Sequence, residues 1–200
     1  SISPKLALNH PNWKMGKKIT IDSATMMNKV FEIIEAKKIF NFEYDKLSIL
    51  VHPKSYVHAI VKFSNGLTKL LVHDTNMVIP IFNSLYPNHN KKINSNKLDL
   101  SIMNNLNFKE LDQKKFPVVK ILNSLPKKDS LFETVIVSAN DILVKKFLNK
   151  EISFLDISKL MLKIINNKEF LKFKKITPKN IDEITHLSHY VSLKINAIRV

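Results

Sequence analysis

The sequence contains no cysteine and only two glycines, Gly16 and Gly66. The lack of thiols excludes disulfides, thiolate metal ligands and thiol nucleophiles. Two isolated glycines exclude a glycine-rich phosphate loop and a dinucleotide-binding fingerprint, because both need several glycines within one short segment. No apolar run reaches the roughly 18 residues that a membrane-spanning helix needs, and the first residues do not resemble a signal peptide. These features favour a cytoplasmic protein with no membrane partner.

Arginine is also scarce, although the formal net charge is +15. Of the 32 basic residues, only Arg199 is an arginine. Proteins that bind nucleic acid use the bidentate guanidinium group to contact phosphates and bases, and here the lysines are spread along the chain. We therefore interpret the charge as a compositional drift and expect no nucleic-acid partner. The alternative is a basic helical binding module, without catalysis, for nucleic acid or a membrane surface.

The first 80 residues predict a helix packed on a partly antiparallel sheet. Pro and Gly punctuate residues 1–20, which we interpret as loop. Asp22 or Ser23 is a candidate N-cap for a helix that runs to about Phe40. Leu47–His52 is a short apolar run typical of a strand. The pair Asn65-Gly66 separates two alternating runs, and this pattern predicts a β-hairpin.

The second half of the chain predicts a small helical bundle. Residues 84–113 are polar and rich in Asn, as in a connection. Apolar residues at helical spacing then predict one helix from Val118 to Leu125 and another over Ser138–Leu148. Ser153 with Asp156 forms a capping box that opens a third helix, and Asn180 is the candidate cap of a fourth. The expected fold class is α+β, with boundaries at 83/84 and 113/114.

The residues between Ser23 and Glu32 are candidates for a phosphate and metal site. The free N–H groups and dipole of a helix N-terminus attract anions. Ser23 and Asn28 add hydrogen-bond donors there, and Lys29 adds a positive charge. Glu32 lies one turn further, where its carboxylate could bind Mg²⁺ or Mn²⁺. An ordinary helix start with a surface lysine and a solvated acid explains the same residues.

Other candidate side chains lie in the loop before that helix and beside the predicted hairpin. Histidine can orient a substrate or move a proton, and His10, His52 and His58 are candidates, although each could be structural. Trp13 and Met15 could cover a ligand as a lid, or form a local apolar contact.

Taken together, these motifs closely resemble the 1-deoxy-D-xylulose 5-phosphate reductoisomerase family. The resemblance rests on His10-Pro11-Asn12-Trp13-x-Met15-Gly16, the run from Lys18 to Lys29, Glu32-Ile33-Ile34-Glu35-Ala36 and His52-Pro53-x-Ser55-x-x-His58. Weaker similarities extend to Ser138-Ala139-Asn140-Asp141. The resemblance implies that residues 1–83 are half of a catalytic α/β domain, 84–113 a linker and 114–200 the C-terminal helical domain. The nucleotide-binding domain and two further metal carboxylates are expected to lie outside this chain.

The resemblance also implies a role for each matching residue. Glu32 is expected to be a metal ligand and catalytic, and His58 to line the substrate site as a catalytic histidine. Substrate contacts are expected from the phosphate anchors and the lid, which are Ser23, Asn28, Lys29, His10, Trp13 and Met15. Of the lid residues, His10 is also expected to be catalytic. Met15 and Gly16 are expected to contact the cofactor, NADPH.

The implied reaction is the rearrangement of 1-deoxy-D-xylulose 5-phosphate and its reduction by NADPH to 2-C-methyl-D-erythritol 4-phosphate. It requires Mg²⁺ or Mn²⁺ and belongs to the non-mevalonate route to isoprenoids. The full-length protein is expected to be a homodimer, and this chain alone to be inactive. The sequence departs from the family pattern at Val30, where glycine is usual, and over His73–Val78. A degenerate relative that binds sugar phosphate without turnover is therefore a further alternative.

Overall fold

The computed structural model describes residues 2–9, 15–88 and 90–198. It divides into two compact units, which we call the helical unit (1–49 with 112–200) and the hairpin unit (Leu50–Leu111). These divisions fall at other positions than the boundaries predicted at 83/84 and 113/114, and the assignment of residues to domains of the family stays a prediction. His10 and Trp13 lie outside the described residues.

The helical unit begins with three helices: α1 (Pro4–Ala7), α2 (Lys17–Thr25) and α3 (Met27–Phe40). The prediction of a loop over residues 1–20 is wrong, because that range holds α1 and the first residues of α2. Pro4 occupies the first turn of α1, where its missing N–H breaks no hydrogen bond, and the hydroxyl of Ser3 caps the helix. A short 3₁₀ helix, Tyr44–Lys46, follows α3.

The hairpin unit contains two small antiparallel sheets and two short helices. Its elements are β1 (Leu50–Val51), β2 (Val57–Lys62), β3 (Thr68–Val72), α4 (Val78–Leu85), α5 (Leu100–Asn104) and β4 (Lys109–Glu110). β2 pairs with β3 and β1 with β4. Gly66 has a φ of +88° in the turn between β2 and β3, a conformation that glycine adopts without strain. The predicted hairpin is confirmed, but the predicted strand Leu47–His52 is reduced to β1 and the predicted connection contains α5 and β4.

The rest of the helical unit is a bundle around one central helix. Its elements are a 3₁₀ helix (Pro117–Ser124), α6 (Phe132–Leu148), α7 (Phe154–Ile165), α8 (Lys168–Leu171), a second 3₁₀ segment (Lys172–Lys175) and α9 (Ile181–Asn196). The capping box of Ser153 and the cap at Asn180 are confirmed. The segment from Val118 is 3₁₀ rather than α-helical, and α6 begins six residues before the predicted start at Ser138.

In the core of the helical unit, α6 packs on α7, on α9 and on α2. Its fully buried side chains include Ile21, Met27, Val30, Ile121, Phe132, Leu143, Phe147, Met161 and Ile195. The α+β class, the antiparallel pairing and the C-terminal bundle are thus confirmed. α3 packs on α2 and on the 3₁₀ helix that starts at Pro117, so its partners in the helical unit are other helices. No helix among the described residues is long and apolar enough to cross a membrane.

Candidate functional site

The candidate phosphate site lies at a sharp corner between α2 and α3. Met26 separates the two helices with a φ of 67°, in the left-handed region that non-glycine residues seldom adopt. The hydroxyl of Thr25 donates to the carbonyl of Ile21 at 3.0 Å and accepts the N–H of Met27 at 3.3 Å. These bonds hold the corner, and the full burial of Met27 anchors the start of α3. The interruption of the helix at Met26 therefore creates a new helix N-terminus, that of α3.

The corner corrects the predicted helix start. Asp22 and Ser23 are not N-cap residues, because they lie in the second half of α2. The carbonyl of Ser23 accepts the N–H of Met26 at 3.2 Å, which closes the last turn of α2. The predicted single helix up to Phe40 is two helices. Ser23 thus belongs to the end of one helix, and Asn28 to the start of the next.

The structure brings three of the predicted site residues together on the first turns of α3. The amide of Asn28 donates to Oε1 of Glu32 at 2.5 Å. Nζ of Lys29 donates to both oxygens of Glu32, at 2.9 and 2.8 Å. The spacings of three and four residues place these side chains on one face of the helix. The amide and ammonium donors predicted to hold a phosphate therefore contact the carboxylate predicted to hold a metal ion.

This cluster is open to solvent. The side chains of Lys29 and Glu32 are 41% and 46% exposed. An ion pair of this kind contributes about 0–1 kcal/mol to stability, because water screens the charges and two long side chains must be ordered. The arrangement is therefore inexpensive to open. A phosphate that binds Lys29 or a cation that binds Glu32 has little to displace.

The residues before α2 are placed only in part. Met15 is partly buried just ahead of the helix. Gly16 is the N-cap of α2, and its carbonyl accepts both the N–H and the hydroxyl of Thr20, at 3.1 and 2.9 Å. These contacts give Gly16 a structural role, and its predicted contact with NADPH stays a prediction, as does that of Met15. The predicted roles of His10 and Trp13 concern residues that the structure does not describe.

His58 lies on β2 of the hairpin unit, stacked on His73. The ring centroids are 3.6 Å apart, and the ring planes differ by 7°. Nε2 of His58 lies 3.1 Å from the carbonyl oxygen of His73, and Nδ1 of His73 lies 2.6 Å from that of Asp74. A carbonyl oxygen only accepts hydrogen bonds, so Nε2 of His58 and Nδ1 of His73 each carry a hydrogen. His52 packs on the ring of Phe108 at 5.4 Å, which favours a structural role.

Residues that the sequence did not single out as site residues support the corner from the other side. Lys18 contacts the carboxylates of Asp22 at 2.7 Å and Asp141 at 3.1 Å. The amide of Asn140 donates to Asp22 at 2.7 Å. The segment Ser138-Ala139-Asn140-Asp141 resembles the family, but nothing in the sequence showed that it lies against Asp22.

The residues described by the structure supply an incomplete set of groups for the implied metal and cofactor. Within the described ranges, no three His, Asp or Glu side chains cluster as a metal site. Glu32 offers one carboxylate, which fits one position of a divalent ion and leaves the others to groups elsewhere. Gly16 begins a helix and Gly66 forms a hairpin turn. Neither lies in a strand–turn–helix unit that could hold a pyrophosphate.

Comparison with known proteins identifies the family. A family model described as the DXP reductoisomerase C-terminal domain matches residues 73–192. A second, described as the 1-deoxy-D-xylulose 5-phosphate reductoisomerase C-terminal domain, matches residues 1–40. The chain belongs to the 1-deoxy-D-xylulose 5-phosphate reductoisomerase family. The second match contains the whole α2–α3 corner, from Gly16 to Glu32, so the candidate site lies in a segment that is typical of the family.

Individual relatives agree. The reductoisomerase of Pelagibacter ubique (strain HTCC1062) is 67% identical over 200 residues, which are all of this chain and 52% of that protein. The one from Sulfurihydrogenibium sp. (strain YO3AOP1) is 39% identical over 176 residues, covering 88% of this chain and 47% of that protein. The chain therefore spans about half the length of the curated relatives that it matches.

Solved structures of the family share the fold. The reductoisomerase of Zymomonas mobilis in complex with NADPH superposes with a TM-score of 0.81 at 30% identity, over 98% of this chain and 49% of that one. A DOX-P reductoisomerase in complex with NADPH, fosmidomycin and magnesium gives 0.87 at 31% identity, over 98% and 49%. The fold of this chain is thus that of half a reductoisomerase.

Proposed function

We propose that this chain is the C-terminal half of an active 1-deoxy-D-xylulose 5-phosphate reductoisomerase. The full enzyme would convert 1-deoxy-D-xylulose 5-phosphate to 2-C-methyl-D-erythritol 4-phosphate with NADPH and Mg²⁺ or Mn²⁺, in the non-mevalonate synthesis of isoprenoids. The observation that carries the proposal is the cluster of Asn28, Lys29 and Glu32 at the start of α3. This cluster has both an anion-binding and a cation-binding half, within a family-matched segment.

The contribution of this chain is to hold the phosphate end of the substrate. Lys29 supplies a charge-assisted contact, and Asn28 supplies amide hydrogens at a helix N-terminus. Contacts to a remote phosphate fix the reacting carbons in place, which is how binding energy far from the chemistry raises the rate. Ser23 would add a hydroxyl from the end of α2. Glu32 would give one carboxylate to a divalent ion, whose chemistry is the polarisation of substrate oxygens.

The two departures from the family pattern are compatible with activity. Val30 is fully buried, so its side chain fills the core under α3 and does not project into the candidate site. The loop His73–Val78 is held by hydrogen bonds that include one to a later segment of the hairpin unit and one within the loop. Asp74 accepts the N–H of Asn96 at 2.9 Å, and the side chain of Asn76 accepts the N–H of Val78 at 3.0 Å. These observations favour a functional enzyme over the degenerate relative.

The proposal extends to the location and the partners of the full-length enzyme. The full-length enzyme would be a cytoplasmic homodimer that acts on a sugar phosphate and has no nucleic-acid or membrane partner. A DOX-P reductoisomerase that was solved in complex with NADPH, fosmidomycin and magnesium supports the proposed cofactor and divalent cation. The spread of the lysines along the chain, with Arg199 as the one arginine, supports the lack of a nucleic-acid partner.

A chimeric enzyme tests the proposed function. The matching part of the Pelagibacter ubique relative, 52% of that protein, is replaced by this chain. We expect NADPH oxidation that requires both 1-deoxy-D-xylulose 5-phosphate and a divalent cation, with the native relative as the control. NADPH binding by the chimera reports that the half taken from the relative is folded, and a circular dichroism spectrum that matches the native relative reports that the whole hybrid is folded. A folded chimera that binds the sugar phosphate without turnover would instead identify the degenerate relative, and one that binds none would contradict the proposal altogether.

A further inference from the structure

Asp22 is a buried carboxylate whose two oxygens are held by different elements. Its side chain is 3% exposed in the second half of α2. Oδ1 accepts from Nδ2 of Asn140 at 2.7 Å, and Oδ2 accepts from Nζ of Lys18 at 2.7 Å. Burial of a charge is costly unless it is paired and hydrogen-bonded. Asp22 meets this condition with one contact to each oxygen. Lys18, which contacts Oδ2, lies on the same helix, whereas Asn140, which contacts Oδ1, lies on α6, 118 positions further along the chain.

The side chain of Asn140 also lowers the stability of the fold, in a second way. It is fully buried in α6, and its Oδ1 has no hydrogen-bond partner in the part of the chain that the structure describes. The amide nitrogen must face Asp22, since an oxygen there would be repelled by the carboxylate. A buried carbonyl without a donor destabilises a fold. Two apolar side chains would join α2 to α6 at a smaller cost in free energy, because they bury no polar group. They would, however, fix the position of α2 less specifically.

Lys18 extends the same contact to a third helix. Its ammonium bridges Asp22 on α2 and Asp141 on α6, and it lies 5.3 Å from the ring centroid of Phe31 on α3. Partial burial by itself lowers the pKa of Lys18, but the hydrogen bonds and charges of the two carboxylates outweigh it and raise the pKa above its ordinary value. The ammonium of Lys18 therefore stays charged, and it contacts residues of α2, α3 and α6.

These contacts act on the residues of the candidate site through the backbone. Asp22 directly precedes Ser23, and its carbonyl, at 3.2 Å, shares the single hydroxyl hydrogen of Thr25 with the carbonyl of Ile21, at 3.0 Å. A shift of Asp22 therefore moves Ser23 and the last turn of α2 that leads into the left-handed corner at Met26. We propose that Asn140 is a positioning residue for the phosphate site: by holding Asp22 against α6, it sets Ser23 relative to the start of α3. This inference rests on the proposed function, because it assigns a support to the same site.

The first test reads the corner directly, in the 200-residue chain. Asn140→Ala removes the contact to Asp22. The matched control is Ser138→Ala, which removes another hydrogen bond of α6, the one from the buried Ser138 to the partly buried Ser188 at 2.9 Å. We expect Asn140→Ala to change the amide chemical shifts of Asn28 and Lys29 and to speed the hydrogen exchange of Lys29, whose N–H donates to the carbonyl of Met26 at 3.2 Å. Ser138→Ala should leave both properties unchanged. If Asn140→Ala does not fold, Asp22→Asn weakens the same contact and the ion pair with Lys18, with little change of shape, and should affect the same amides. Lys18→Ala, which keeps the contact between Asp22 and Asn140, shows how much of that effect comes from the ion pair.

The second test uses the chimera and separates a positioning role from a structural one. Asn140→Ala should raise KM for the sugar phosphate roughly tenfold, because a small misplacement of an anchor weakens substrate binding, and leave KM for NADPH unchanged. Ser138→Ala should change neither. Equal effects of the two variants, on the amides or on KM, would overturn the inference. An inactive unmodified chimera would contradict the proposed function, whereas the amide measurements on the chain would still decide the role of Asn140.

Discussion

Lys29 and Glu32 form one exposed ion pair on α3, with both carboxylate oxygens within 2.9 Å of the ammonium. The pair joins a predicted phosphate anchor to a predicted metal ligand. Its small contribution to stability means that ligands can exchange for it. A phosphate that takes Lys29 leaves Glu32 available to a cation, and a cation at Glu32 leaves Lys29 available to a phosphate. The two binding events should therefore favour each other.

Replacement of Glu32 tests its role as a metal ligand. Glu32→Gln is nearly isosteric but removes the negative charge that a hard divalent ion requires. In the chimera we expect most activity to be lost and the remaining activity to need more Mg²⁺ or Mn²⁺. Glu35→Gln, an exposed acid on the same helix, is the control and should behave as the unmodified chimera. If Glu32→Gln showed the metal dependence of the unmodified chimera, the assignment would be wrong.

This chain alone should not bind NADPH with useful affinity. Its two glycines lie far apart, at a helix cap and a hairpin turn, and neither forms a cradle for a pyrophosphate. The measurement is a titration of NADPH fluorescence against the purified chain, with the native relative as the positive control. Saturable binding at a single site in the micromolar range would contradict this expectation.

The two units should differ in their resistance to hydrogen exchange. α6 packs on α7 and α9 and carries fully buried Phe132 and Phe147. In contrast, most side chains of β2 and β3 are exposed, among them Ile60, Leu70 and Leu71. Local opening costs least where few apolar contacts are lost, so amides of the hairpin should exchange much faster than those of α6. Equal protection of the two elements would show that the hairpin is stabilised by more than the pairing of β2 with β3.

Stability at low pH should depend on Asp156 in the capping box of α7. Hydrogen bonds from the hydroxyl and then the backbone N–H of Ser153 hold the pKa of Asp156 below its ordinary value. The unfolded chain therefore binds the proton more readily. The stabilisation is complete above the unfolded pKa of about 3.9 and is lost as the pH falls through the lower folded pKa.

The variant Asp156→Asn measures how much the charged Asp156 contributes to the free energy of unfolding. We expect it to lower the free energy of unfolding by about 0.3–1 kcal/mol at pH 7. The difference from the unmodified chain should shrink as the pH approaches the folded pKa, because the protonated aspartate then resembles asparagine. Urea unfolding at several pH values gives both quantities. A difference that is constant down to the acid limit would show that the charge of Asp156 is not the cause.

Local signals in the sequence predicted local structure well. The Asn65-Gly66 turn and the caps at Ser153 and Asn180 depend on residues within a few positions of one another, and each was found where expected. The corner at Met26 was missed, because a left-handed methionine between two helices has no signature in composition or spacing. Asp22 and Ser23 were consequently assigned to the wrong end of a helix.

The candidate site follows the same division. Asn28, Lys29 and Glu32 could be grouped from the sequence because helical spacing places them on one face. The contact between Asp22 and Asn140 could not be predicted, since it joins residues 118 positions apart and depends on how α2 packs on α6. The stacking of His58 on His73 depends likewise on the register of β2 against β3. Tertiary packing, rather than local pattern, decides both.

The most direct test of the account is the effect of Lys29→Ala on the two Michaelis constants of the chimera. Lys38→Ala is the matched control, because Lys38 lies on the same helix, is 42% exposed against 41% for Lys29, and also pairs with an acid, Asp129. Loss of a charge-assisted phosphate contact should cost roughly 1.5–3 kcal/mol, or about 10- to 150-fold in KM for the sugar phosphate. KM for NADPH should not change, and Lys38→Ala should change neither constant. An equal effect of Lys29→Ala on both constants, or no effect on either, would show that the start of α3 does not hold the phosphate.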